Sequence, residues 1–163
     1  MKVPARPHNE IERLKAVLDT EILDSSPEEV FDRLTKLAAE ICGTEYSVIS
    51  LIDSERQWFK STFGFAGTET PRDVSFCGHT ILGTKILEVL DATTDERFSN
   101  NPSVVGEPHI RFYAGAPLID SNGFALGTLC VFDSKTKTLE NYQLEALRTF
   151  AARIVKLIED RKK

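Results

Sequence analysis

One arginine set in an apolar run, a cysteine followed by glycine and histidine, and a short Asp/Thr/Arg run are the residues here whose chemistry is most pointed. Arg111 stands between Ile110 and Phe112. A guanidinium there can grip a carboxylate or phosphate with two parallel hydrogen bonds. It can equally close an ion pair with Asp91, Asp95 or Glu107, since a buried arginine must be paired with something. Asp91, Thr93, Asp95 and Arg97 carry side chains that hold turns by bonding neighbouring amides or that contact a ligand. His79 and His109 are of a type that titrates near neutral pH. Cys77 is placed at the start of a short helix, where a thiolate is stabilised. Trp58, Phe76, Phe98, Phe112 and Tyr113 supply apolar surface for a pocket wall, for stacking on a base or for plain core. There is no CxxC pair and no matching His or carboxylate spacing, so no metal site is expected, and no residue is assigned a catalytic role.

The elements that must position these groups follow from periodicity. Residues 1–8 form a Pro-containing lead-in, expected to be mobile. Ile11, Leu14 and Leu18 recur at helical spacing over residues 9–18. Ser26, Pro27 and Glu29 read as a capping box that opens a helix with a buried stripe of Val30, Phe31, Leu34, Leu37, Ala38 and Ile41, ended by Gly43. Strand formers then run from Tyr46 to Asp53 and from Arg56 to Phe63. With only Ser54 and Glu55 between them, the two strands must make an antiparallel hairpin. Phe76 to Leu82 is a short helix with Ser75 as its cap, and Ile86 to Leu90 a short strand. Residues 91–110 are irregular, and a loop of ~20 residues in a compact domain is commonly a functional lid. Phe112–Ile119 and Phe124–Phe132 are two strands joined through Asn122–Gly123, a hairpin signal. Alternation places Phe124, Leu126, Thr128, Cys130 and Phe132 on one face. An amphipathic helix occupies residues 139 to about 160.

The 163 residues fit one domain, with 41% hydrophobic and 28% charged residues in an ordinary globular balance. A formal net charge of −5 argues against a nucleic-acid binder. Three cysteines, Cys42, Cys77 and Cys130, suit a reducing cytoplasmic setting, with Cys42 and Cys130 read as buried and inert. No apolar run approaches the ~20 residues that span a bilayer. The pattern is α+β with an antiparallel sheet. The domain is set at residues 9–160, with 161–163 as a tail or the start of a linker to an effector.

The chain resembles GAF domains over about Glu10 to Ile158. The likeness rests on Asn9-Glu10-Ile-Glu-Arg-Leu14, Pro27-Glu-Glu-Val-Phe-Asp32, Ser50-Leu-Ile-Asp53 with Arg56-Gln-Trp-Phe-Lys60, Thr70-Pro-Arg72 with Ser75-Phe-Cys-Gly-His79, and Asp95-Glu-Arg-Phe98. Its clearest parts are Gly106 to Leu118 and Leu126-Gly-Thr-Leu-Cys130. It is similar to a bacterial subgroup found ahead of diguanylate cyclase or histidine kinase domains. The resemblance implies a GAF/PAS-like sheet of order 2-1-5-4-3, terminal helices on one face and a ligand pocket on the other.

The expectation is therefore a sensory, non-enzymatic module for a small molecule, with a cyclic nucleotide as the favoured class and no covalently bound cofactor. Its site would draw on Arg111, Asp95, Asp91, Thr93, His79, Cys77, Phe76, Phe98, Phe112, Trp58 and Thr128. Leu144, Leu147, Ala151, Ile154 and Ile158 form a coiled-coil-like seam that either covers the sheet or joins two copies, making a homodimer through the terminal helices the expected assembly. The last helix lacks a Gly or Pro stop, so it can continue into an effector. Two alternatives stand beside this. Some GAF proteins are free methionine-R-sulfoxide reductases with a Gly-x-x-Cys-Gly element; here Cys77-Gly78 is preceded by Val74 where that glycine belongs, and His109 to Phe112 replace the further cysteines. The bilin-type Cys-His pair is interrupted by Gly78, and the Asn-Lys signature of phosphodiesterase-type domains is broken at Asn101. The other alternative is a ligand-free dimerisation module.

Overall fold

The computed structural model describes residues 1–161, so Lys162 and Lys163 of the expected tail lie outside the described residues. Helices α1 (Glu10–Asp19) and α2 (Glu29–Cys42) lead into strands β1 (Tyr46–Ile52), β2 (Arg56–Phe63) and the short β3 (Glu69–Pro71). A 3-10 turn at Arg72–Val74 precedes α3 (Cys77–Thr80) and β4 (Leu87–Val89). The stretch expected to be irregular holds a second 3-10 turn, Ala92–Thr94, and a one-turn helix α4 (Pro102–Val105). The chain closes with β5 (Phe112–Ile119), β6 (Ala125–Asp133) and α5 (Asn141–Asp160).

The sheet is antiparallel, in the order β3-β2-β1-β6-β5-β4. This is the expected five-strand order with one strand added at the edge, where Arg56, Gln57 and Trp58 of β2 pair with Pro71, Thr70 and Glu69. Three residues bounded by Gly67 and a 3-10 turn carry too little pattern to announce a strand. Alternation along the central strands divides the core in two. Ile49, Leu51, Phe112, Ala114, Leu129 and Val131 face α1, α2 and α5. Val48, Ile52, Tyr113, Cys130 and Phe132 face the middle segment, residues 76–110. Buried on both faces, β6 has no exposed position along its length. A register shift between Leu118 and Ile119 leaves Leu126 unopposed and turns it to the helix side, so Leu126 does not share the face of Thr128 and Cys130 as simple alternation implied.

Two helix expectations are corrected. The capping box at Ser26–Glu29 does not form: the helix begins at Glu29, and Glu28 is extended with φ −134° and ψ 132°. The Lys60 ammonium explains this. It is buried, and it donates to Ser25 Oγ at 2.8 Å and Ser26 O at 2.7 Å while pairing with Glu28 at 2.6 Å, which holds residues 25–28 around it. The C-terminal end is as read, with Gly43 at φ 64° in the left-handed region. In α1 two of the three stripe residues are on the outside: Ile11 is 83% and Leu18 62% exposed, while Leu14 is half-buried. The buried residues are Arg13 and Val17.

Arg13 goes inside because Glu10 goes with it. The Glu10 carboxylate accepts Arg13 Nε at 2.9 Å, Arg72 Nη1 at 2.5 Å and Arg72 Nη2 at 3.0 Å. Both guanidiniums are buried, and their remaining donors reach Ala125 O at 3.1 Å and Asp53 O at 3.0 Å. One carboxylate thus ties α1 to the β1–β2 turn, the turn after β3 and the start of β6. The α5 seam also faces inward, since Leu147, Ala151, Ile154 and Ile158 are buried against the sheet. The lead-in expected to be mobile is docked: Pro4 is buried, Lys2 N donates to Arg97 O at 2.9 Å, and Lys2 O meets His79 Nε2 at 3.1 Å.

Burial pushes the Glu10 carboxyl up, but hydrogen bonds from Arg72 and Arg13 outweigh it and hold it at about 2, against 4.5 for the free group. A depressed folded value gives stability that is full above about 4.5 and lost as pH falls toward 2. Glu10→Gln strands two buried guanidiniums, so urea denaturation at neutral pH is expected to show a loss of about 3–5 kcal/mol. The same denaturation series run downward in pH should show the wild type losing its advantage over the variant in that window.

Candidate functional site

A cavity of about 410 Å³ lies between the second face of the sheet and the middle segment. Phe59, Phe65 and Phe132 make one wall, with Phe65 edge-on to Phe59 at 5.7 Å and tilted on Phe132 at 5.8 Å. Phe76 and Tyr113 make the other, 5.1 Å apart. Val48, Val74, Pro108 and Ile110 complete the apolar lining. The polar groups are few: Gln57, Glu69, Thr70, Ser75, Ser103, Glu107 and the two thiols Cys77 and Cys130. Apolar walls with a handful of polar groups are what orient and hold a small ligand. A wider groove of about 580 Å³ beside β2 includes Asp24, Asp32 and Lys60, but Lys60 is already paired with Glu28.

Two polar features stand out. Gln57 Nε2 donates to Thr70 Oγ1 at 3.4 Å, while its buried Oε1 has no hydrogen-bond partner among the described residues. Cys77 Sγ, also in the cavity lining, sits in a polar cluster that is otherwise deep in the core. It accepts from Thr128 Oγ1 at 2.9 Å, meets Tyr113 Oη at 3.1 Å and lies 3.8 Å from Cys130 Sγ. Thr128 in turn meets Ser50 Oγ at 2.9 Å, and Tyr113 meets Thr80 Oγ1 at 2.7 Å. Burial pushes the Cys77 thiol up, but hydrogen bonds from Cys130, Thr128, Tyr113 and Ser50 outweigh it and hold it at about 7. Cys130 moves the other way, well above a free thiol, because of its hydrogen bond with Cys77 and its burial. The loop into α3 sets this geometry: Arg72 O accepts Ser75 Oγ at 2.6 Å, and Ser75 Oγ accepts Gly78 N at 3.0 Å, the capping role expected of Ser75.

The sequence-predicted site is only partly assembled. Phe76 and Cys77 line the cavity, and Thr128 stands behind Cys77. Phe98 backs the wall, stacked on Phe76 with centroids 4.1 Å apart and planes 4° from parallel. Trp58 and Phe112 lie on the other side of the sheet, in the helix-facing core, because strand parity turns them there. His79 lies edge-on to Phe98 at 5.0 Å, and burial pulls its titration down. Asp91 caps the 3-10 turn, accepting Thr93 N at 3.0 Å and Thr93 Oγ1 at 2.6 Å. Asp95 takes Arg97 at 2.7 and 3.0 Å. Arg111 is not a cavity residue: its Nη1 donates to Val104 O at 2.9 Å and Ile110 O at 3.1 Å, which fastens α4 to the start of β5.

Gln57, Phe59, Phe65, Phe132 and Cys130 were missed as site residues. The parity of β1 and β2 through Val48, Gln57 and Phe59 carries part of this signal, and so does that of β6 through Cys130 and Phe132. No residue of Phe65–Gly67 has one, since that loop returns to the sheet only by pairing β3 to β2. Cys77 does have a neighbouring thiol, which the 53-residue separation from Cys130 concealed.

A family model described as GAF domain matches residues 26–158. A cyclic di-GMP phosphodiesterase of Pseudomonas aeruginosa is 43% identical over 137 residues, which is 84% of this chain but 23% of that protein. The chain therefore spans about a quarter of that relative. Among solved structures, the GAF domain of a phosphoenolpyruvate-protein phosphotransferase from Coxiella burnetii superposes with TM-score 0.70 at 14% identity, covering 94% of this chain and 95% of that one. A free methionine-R-sulfoxide reductase from Neisseria meningitidis in complex with its substrate gives TM-score 0.65 at 18% identity, covering 91% and 87%. Identities this low speak for the fold alone.

The Tyr113 hydroxyl reaches Cys77 and Thr80 only because residue 115 is glycine, since a Cβ there would stand 2.2 Å from Tyr113 Oη. Gly115→Ala is expected to expel that hydroxyl from the cluster and to cost about 1–3 kcal/mol by overpacking, read as a lower melting temperature by calorimetry.

Proposed function

The chain belongs to the GAF domain family, and from that premise we propose that it is a sensory module whose cavity takes a small, largely apolar molecule bearing at least one hydrogen-bond donor. The observation that carries this is the buried, unpartnered Gln57 Oε1 in the lining of a largely apolar cavity of about 410 Å³. A buried acceptor without a partner costs about 1–3 kcal/mol, and a ligand N–H or O–H would recover it. The cyclic nucleotide expected from Arg111 has weaker support. Among the described residues the lining contains Glu69 and Glu107 and no lysine, arginine or histidine, a surface that favours a neutral or cationic molecule over a phosphate. As output we propose a separate unit reached through the terminal helices. The relationship to the P. aeruginosa enzyme favours cyclic di-GMP hydrolysis over the diguanylate cyclase or histidine kinase expected earlier.

A thermal-shift screen of the purified chain should separate these ligand classes. Neutral and cationic apolar compounds are expected to raise the melting temperature, a ligand at 100 times its dissociation constant adding about 2.7 kcal/mol, while cyclic nucleotides give no shift. Gln57→Leu is expected to weaken a hit about tenfold, corresponding to about 1.4 kcal/mol, without lowering the stability of the free domain. A cyclic-nucleotide hit that survives in Gln57→Leu and is lost in Arg111→Ala would reverse the assignment.

The homodimer is proposed through the outer face of α1. The inward-facing residues of α5 are engaged in the core, whereas Ile11 and Leu18, two turns apart, are exposed. The double variant Ile11→Glu with Leu18→Glu is expected to halve the mass measured by light scattering without changing the melting temperature extrapolated to low concentration. A wild type that is already monomeric would rule the dimer out.

A further inference from the structure

From the placement of Cys77 and Cys130 in the cavity wall we infer a two-thiol oxidation site, which accepts a small hydroperoxide and closes to a disulfide. The inference goes beyond ligand sensing and needs no bound ligand. Four observations carry it. The sulfurs are 3.8 Å apart, on α3 and β6. Both residues line the same cavity, so a peroxide that enters it meets them although each is almost fully buried from outside solvent. The Thr128 hydroxyl donates to Cys77 Sγ at 2.9 Å and Tyr113 Oη lies 3.1 Å away, which favours the thiolate at this sulfur and keeps Cys77 the nucleophile. The third cysteine, Cys42, provides an internal control. It lies across the sheet in the helix-facing core, and burial pushes its thiol up to about 11.

The chemistry closes within the pair. The Cys77 thiolate attacks one oxygen of the hydroperoxide; an S–O bond forms, the O–O bond breaks, and the alcohol or water leaves with a proton. The Cys130 sulfur then attacks the Cys77 sulfenic acid; the S–S bond forms, the S–O bond breaks, and the Cys130 proton leaves with hydroxide as water. Two thiols are oxidised by two electrons and one peroxide is reduced. Bonding at about 2.05 Å requires the sulfurs to close by roughly 1.8 Å. Cys77 stands on α3, a helix of only four residues, so the proposed closure calls for a shift of that short element toward β6.

Stoichiometric hydrogen peroxide added to the purified chain, followed by alkylation in denaturant, peptide mapping and intact mass, tests this. The expected product is lighter by two hydrogens, is linked between the Cys77 and Cys130 peptides, alkylates fully at Cys42 and reverts with dithiothreitol. Cys130→Ser should leave a Cys77 sulfenic acid that dimedone captures, while Cys42→Ser behaves as wild type; circular dichroism checks that both are folded. Sulfinic acid at Cys77 with Cys130 still free, equal reaction of all three cysteines, or no reaction at all would each overturn the inference. Because mass is the readout, failure of the ligand assignment leaves this result untouched.

Discussion

One carboxylate shared by two buried guanidiniums holds the fold in register. Glu10 lies between Arg13 and Arg72, and their spare donors end on carbonyls of Asp53 and Ala125. Burying charge is unfavourable unless each ion is paired and its remaining hydrogen bonds are met. Here nearly every donor is used, Arg72 Nε being the exception. The geometry follows from this electrostatic demand. α1 can dock only with its charged face inward, and the turns carrying Asp53 and Arg72 must come to it. The Arg72 carbonyl then receives Ser75, and Ser75 starts the helix that bears Cys77. The cavity wall is therefore positioned from the far end of an ionic cluster.

The second buried polar set is neutral. Ser50, Thr128, Cys77, Tyr113 and Thr80 form a chain of hydrogen bonds between β1, β6, α3 and β5. In a low-dielectric core such a chain is favourable when every member is satisfied and costly when one is lost. It fixes a four-residue helix that has little hydrophobic surface of its own to anchor it. The same contacts that make the packing specific also stabilise negative charge on one sulfur. Structural and chemical roles therefore coincide at Cys77.

Much of the architecture was legible in the sequence. Helical spacing found α2 and α5, strand alternation and the short Asp53–Glu55 and Asn122–Gly123 breaks found the two hairpins, and the family motifs implied the strand order. What misled was residue type standing in for burial. Ile11 and Leu18 look like core and are exposed, whereas Arg13 looks like surface and is buried, because its partner Glu10 is itself drawn inward by Arg72, 62 residues further along the chain. Arg111 looks like an anion clamp and instead satisfies two carbonyls of its own loop. Trp58 and Phe112 have the right chemistry on the wrong parity. The cavity depends on loop closure by residues 65–67 and on the meeting of Cys77 with Cys130, and neither has a local periodic signal.

β6 illustrates a different kind of limit. Both of its faces are covered, one by helices and the other by the cavity segment. A strand with a solvent face can exchange one polar residue for another over evolutionary time and drift freely. This strand has no such neutral positions, so each substitution must preserve volume on one side or hydrogen bonding on the other. Divergence among descendants of this chain should therefore collect at exposed positions such as the Asp120–Gly123 turn, leaving β6 as the slowest-changing segment.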